Sequence, residues 1–127
     1  MNPFSFPYLS RVNAVMAIVG GVGLFVVPDL LLRILDVPAA FDGSFYGRAY
    51  ATGLLNIGVI SWATRDVVDV RVIRGVTAAN AVQDALIVGI LLHAVLTGQA
   101  NGWTWGLVVA FGYQVVSNAV AYARSGR

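Results

Sequence analysis

The sequence predicts an all-α fold: a four-transmembrane-helix antiparallel bundle forming one integral membrane domain over residues 1–127, with both termini cytoplasmic. Three observations lead there. Charged residues make up 11% of the chain and hydrophobic ones 58%, against about 25% charged in a soluble domain. Four apolar segments each approach the roughly 20 residues that a bilayer crossing needs. The connectors DVPAAFDG, RDVVDVR and GQANG carry turn residues and charge, as segments outside hydrocarbon should.

The first segment runs over about residues 11–35. Its apolar part, Arg11 to Val27, passes Pro28 into the amphipathic stretch DLLLRILD, where Asp29, Arg33 and Asp36 share one face by i, i+4, i+7 spacing. A single Arg precedes the apolar run and no small-x-small cleavage site follows it before Pro28, so a retained helix is expected rather than a signal peptide. The second segment covers about 45–64, the third about 73–97 and the fourth about 103–123. Ala81, Ala85 and Gly89 recur every fourth residue on the third. Ala17 with Gly21, Ala49 with Gly53 and Gly102 with Gly106 repeat that spacing elsewhere. Such residues let backbones approach closely where lipid gives helices no hydrophobic drive to associate.

All eight cationic side chains are Arg and all six acids are Asp, a bias expected of a GC-rich bacterial genome. The absence of cysteine excludes disulfides, thiol redox chemistry and thiolate metal sites. His93 is the only histidine, so bis-histidine haem ligation within one chain is excluded too. No metal or nucleotide motif is present, and no cofactor is expected. The basic balance comes from Arg residues flanking apolar segments, which implies no nucleic-acid partner. Arg11, then Arg65, Arg71 and Arg74, then Arg124 and Arg127 fall on one side of the alternating topology. The excess of Arg puts that side in the cytoplasm of a bacterial inner membrane. Trp103 and Trp105 then belong to the outer aromatic belt, and Trp62 to the inner one.

Polar residues at membrane depth point to a site. Thr77, Asn80, Gln83 and Asp84 fall within about 120° of the third helix. On the second, Arg48, Thr52 and Asn56 follow at i, i+4, i+8. On the fourth, Gln114, Ser117 and Asn118 cluster, with Tyr113 beside them. On the first, Asn13 shares a face with Ala17, Gly20 and Gly21. At about 1.5 Å rise per residue, Asp84 lies roughly 15 Å from Arg74, near the midplane, and Asn56 and Gln114 at similar depth. An ionised carboxylate there costs about 2.5 kcal/mol or more. Asp84 is therefore expected to be paired, hydrogen-bonded or neutral, and Arg48 is the intramembrane cation within its reach. Each polar face taken alone reads as interhelical glue, and an Arg48–Asp84 pair could simply fix register. Turned inward together, the faces build a hydrophilic interior. His93 projects opposite Asp84, near the outer interface. Tyr46 and Tyr50 read as belt or packing aromatics.

The stretch LFVVPDLLLRILDVPAAFDGSFYGRAYATGLLNIGVISWATRD has a Pro ending one helix, an amphipathic turn, an aromatic residue and Arg48 opening the next, and a Gly-rich face closing on Trp and Arg. It resembles the small DoxX-like integral membrane proteins over about residues 12–66. The resemblance implies a four-helix bundle with Arg48 as a notable position; that broad group includes a subunit of a thiosulfate–quinone oxidoreductase. Small multidrug-resistance exporters carry an acid in the first helix, where this chain has none before Asp29. Membrane glutathione transferases are only faintly echoed by RGVTAANAVQD.

The expected function is binding of a small lipophilic molecule with a polar handle, and its cofactor-free isomerisation, cyclisation or hydration if chemistry occurs. Asp84 would act as general acid or base and Arg48 would hold negative charge. Asn56, Asn80, Gln83, Gln114, Asn118, Thr52 and Tyr113 would orient the molecule. Alternatives are a non-catalytic accessory subunit of a larger membrane complex, a homo-oligomer among them, and a small transporter.

Overall fold

A computed structural model describes residues 5–35 and 41–125, with the side chains of residues 41–46 outside the description. Asp36, Arg127 and the Tyr46 side chain therefore lie outside the described residues. Five helices follow one another: α1 (Phe6–Val26), α2 (Pro28–Ile34), α3 (Phe41–Thr64), α4 (Val70–Leu96) and α5 (Thr104–Arg124).

The chain is all-α, but the expected four-transmembrane-helix bundle needs correction. Among the described residues three helices, α1, α4 and α5, are long and apolar enough to cross a membrane. The second expected span, α3, is long but is not one of them. Arg48, Thr52, Asn56, Ser61 and Thr64 dilute its aliphatic content, and much of the remainder is Gly and Ala. The first expected segment is two helices. Pro28 has no amide hydrogen to continue α1, so the chain turns at Val27 and restarts with Pro28 at the first position of α2. At its other end α1 begins five residues before Arg11, with Pro7 in the first turn, where its missing donor costs nothing.

Local signals set the remaining ends. Asp69 caps α4 by accepting from Arg71 N at 2.8 Å. Gly98 ends it in the left-handed region at φ +70°, with Gln99 N reaching back to Ala94 O at 2.8 Å. Asn101 then joins two elements through three hydrogen bonds. Its Nδ2 donates to Ile34 O at 2.9 Å, its N donates to Leu35 O at 3.1 Å, and its Oδ1 accepts from Trp103 N at 3.1 Å. The end of α2 is thereby fixed to the start of α5. At the opposite end of the molecule Arg11 pairs with Asp66 at 3.5 Å, and the Arg74 guanidinium stands 4.6 Å from the Tyr122 ring centre.

The helices pack chiefly as two pairs, α1 with α3 and α4 with α5, and the pairs touch each other sparingly. The first pair is close. A Cβ on Gly58 would sit 2.6 Å from Ile18 Cγ1 and 3.3 Å from Ala14 O, and one on Gly21 would sit 2.9 Å from Leu55 Cγ and 3.2 Å from Ala51 O. Among the small-residue pairs expected to mediate packing, Ala17 and Gly21 do so. A Cβ on Gly53, Gly89, Gly102 or Gly106 would meet nothing within 4 Å.

The burial pattern is inverted relative to a water-soluble protein. Ser10, Asn13, Ser61, Thr77, Asn80, Thr104, Gln114, Ser117 and Asn118 are all buried, while Val19, Leu86, Ile90 and Val109 are each more than 60% exposed. In water this would be unstable. In lipid, aliphatic side chains facing outward lose nothing and polar groups must find partners inside.

Candidate functional site

The two helix pairs meet through polar side chains. Asn13 on α1 donates through Nδ2 to Asn118 Oδ1 on α5 at 3.4 Å. Asn118 Nδ2 in turn donates to Gln114 O at 3.0 Å and to Asp84 Oδ2 on α4 at 3.4 Å. One amide thus connects three helices. A second crossing runs between α4 and α3, where Asn80 Nδ2 donates to Ser61 Oγ at 3.4 Å. Gln114 Nε2 reaches Met16 Sδ at 3.0 Å. Thr77, fully buried, turns its hydroxyl to Ile73 O at 2.8 Å, which satisfies it within its own helix.

These residues surround a small cavity at the centre of the bundle. Asn13, Asn80, Gln83, Asp84 and Gln114 supply its polar wall, and Met16, Leu54 and Phe111 are among its apolar side chains. Its volume is about 20 Å³, room for roughly one water-sized sphere. The interior is polar, as the sequence suggests, but too small for an organic substrate.

A second, larger space lies on the flank between α3 and α4. This lateral groove of about 810 Å³ is lined by Tyr50, Gly53, Ala79, Val82 and Leu86, and by Gln83. Its size falls within the range of small-molecule sites, about 300–1,000 Å³. Gln83 borders both spaces.

The structure brings together Asn80, Gln83, Asp84, Gln114 and Asn118 from the residues that the sequence singles out. Four others stand apart. Arg48 is exposed and donates through Nε to Phe25 O at 3.3 Å, so it does not pair with Asp84. Thr52 is exposed with its hydroxyl on Ala49 O at 2.7 Å; Asn56 and Tyr113 are also exposed. His93 is exposed as well. The reason is which face of α3 wins the interior. Gly47, Ala51, Leu54, Gly58 and Ser61 recur at i, i+4, i+7, i+11, i+14 and turn toward the other helices, because only that row lets α1 approach. The polar row 48, 52, 56 lies on the opposite side.

Ser61 and Met16 are partners that the polar-face reading overlooks. Ser61 is fully buried and is found by following the small-residue row of α3 to its end. Met16 carries no polar signal in a sequence; its sulfur is recognisable as an acceptor only once Gln114 is seen beside it.

No protein-family model, curated protein or solved structure matches this chain.

Proposed function

We propose that the protein binds a small lipophilic molecule with a polar end, taken from the lipid phase of a bacterial inner membrane into the groove between α3 and α4. One observation carries this reading: Gln83 lines both the apolar groove and the polar cavity. A hydrophobic body would lie along Ala79, Val82 and Leu86 while its polar end meets the Gln83 amide, which also lines the polar cavity. Binding is favoured over turnover, because the space beside Asp84 holds roughly one water and no substrate. Kinship with the DoxX-like proteins is part of the proposal and rests on residues 12–66. The end that carries Arg11, Arg65, Arg71, Arg74 and Arg124 faces the cytoplasm by the positive-inside rule.

The test is to extract the protein purified in lipid nanodiscs and compare its bound organic molecules by mass spectrometry with those of Gly53→Trp and Gln83→Leu. The expected result is a molecule enriched in the parent and lost from Gly53→Trp, whose side chain would fill the groove. Identical extracts containing bulk phospholipid alone would refute the proposal.

A second reading, an accessory subunit, is favoured by one specific observation. Gly58 packs on Ala14 and Ile18, and Ala51 and Leu55 lie by Gly21, so this part of α3 is level with the middle of the membrane-length α1, with Asn56 on its far side. Asn56 is exposed there, on the same face as Arg48 and Thr52. A polar row presented to acyl chains is costly, and a neighbouring membrane helix with its own polar groups would relieve that cost. Cysteine cross-linking from Asn56→Cys in native membranes distinguishes the readings: a discrete adduct supports a partner, and its absence opposes one.

A further inference from the structure

Three amides around the central cavity each use an N–H on a neighbouring side chain. Asn13 Nδ2 is engaged by Asn118 Oδ1, Asn80 Nδ2 by Ser61 Oγ and Gln114 Nε2 by Met16 Sδ. Each of these nitrogens keeps a second hydrogen, and beside it each side chain offers a carbonyl oxygen. Gln114 Oε1 is buried with no hydrogen-bond partner among the described residues, on a residue 2% exposed. Among the described residues no donor reaches Asn13 Oδ1 or Asn80 Oδ1. Asp84 adds a carboxylate that receives one long hydrogen bond, through Oδ2, at 3.4 Å. No cationic side chain lines the cavity.

From this arrangement we propose that the cavity is a binding site for one monovalent cation of sodium size, held by the Asp84 carboxylate and the amide oxygens of Gln114, Asn13 and Asn80. Hard cations take oxygen ligands of this kind. Size fits as well, since about 20 Å³ admits one water-sized sphere. Charge selects a monovalent ion: Asp84 is the only carboxylate at the site, and a divalent ion would leave a net positive charge in a low-dielectric interior. Among the described residues no group of three His, Asp or Glu side chains gathers to hold a divalent metal. A single water has two hydrogens to offer four acceptors, whereas a cation is attracted to all of them. The inference stands apart from the lipophilic ligand, because none of its ligand atoms depends on the groove being filled.

The experiment uses the full chain in detergent, with thermal unfolding followed by tryptophan fluorescence and choline chloride replaced by sodium chloride at constant ionic strength. The expected result is a saturable rise in Tm with sodium that choline does not give, and equilibrium dialysis with radioactive sodium showing about one ion per chain. Asp84→Asn is expected to abolish the response. Gln114→Leu, which keeps the side-chain volume and removes the orphaned oxygen, should weaken half-saturation by roughly tenfold or more, as loss of one contact to a charged group implies. If Asp84→Asn does not fold, Gln114→Leu and the parent protein still decide the matter. Equal stability of the parent in sodium and choline would overturn the proposal, as would an undiminished sodium response in either variant.

Discussion

Asn118 Nδ2 lies 3.4 Å from Asp84 Oδ2, so an amide of α5 donates to the one carboxylate that α4 carries inside the bundle. The same amide accepts from Asn13, which makes it the junction of α1, α4 and α5. Interhelical hydrogen bonds in membranes average about 0.6 kcal/mol, with a maximum near 1.7. A double-mutant cycle of Asn118→Ala with Asp84→Ala, read by unfolding in mixed micelles, should give a coupling in that range. A coupling of zero would mean that the two side chains act independently.

Ser61 shows the cost of an orphaned donor. It is fully buried and accepts from Asn80 Nδ2. Ser61→Ala should destabilise by about 1–3 kcal/mol, because the buried Asn80 amide then loses its partner. Asn80→Leu together with Ser61→Ala should recover part of that loss. A double variant no better than Ser61→Ala would contradict the pairing.

Gly58 is the tightest point of the α1–α3 contact. Gly58→Val places atoms where Ile18 and Ala14 already stand, and overpacking of this kind typically costs about 1–3 kcal/mol. Gly75→Ala, where an added Cβ meets nothing within 4 Å, should leave stability unchanged or slightly higher. Thermal unfolding of the two variants side by side checks the contrast. Equal Tm values would show that α1 and α3 are not in close contact at this level.

Among the described residues two buried hydroxyls have no hydrogen-bond partner, Thr104 Oγ1 and Ser117 Oγ. Thr104→Val and Ser117→Ala remove unsatisfied oxygens without opening much space, so both should be neutral or stabilising. Loss of more than about 1 kcal/mol in either would reveal a partner for that hydroxyl.

The Arg11–Asp66 pair lies at the surface, its side chains 47% and 63% exposed, and Asp66 also meets Arg65 Nε at 3.2 Å. Exposed pairs contribute about 0–1 kcal/mol. Asp66→Asn is expected to shift the unfolding midpoint little, and the shift should shrink further as salt is added.

Much of the fold was legible because the bilayer acts as a solvent whose demands are written in composition. Long aliphatic runs gave α1, α4 and α5, and Asp69, Gly98 and Pro28 marked ends by what their backbones and side chains can bond. The second segment departs from the independent span that its length predicts. Its length suggested a crossing, but Arg48, Thr52, Asn56 and many small residues leave it less apolar than its neighbours. On α4 and α5 the polar face and the interior face coincide, so Asn80, Gln83, Asp84, Gln114 and Asn118 were found by periodicity. On α3 they differ. Two faces competed there, one polar and one small, and a helical wheel does not say which will be buried.

The sequence alone determined that the chain is helical and lipid-soluble, that it has an acidic residue deep in its third apolar segment, and that amides accompany that acid on neighbouring turns. These follow from residue type and spacing, which act within one helix. Only the tertiary structure decided that α3 turns its glycines rather than its arginine to the interior, and that Gln114 Oε1 is left buried without a partner among the described residues. It also decided that the central space has room for about one water-sized sphere and that the larger one opens sideways between α3 and α4. Those outcomes depend on how closely two helices can approach, which is fixed by atoms on both, and no single helix contains that information.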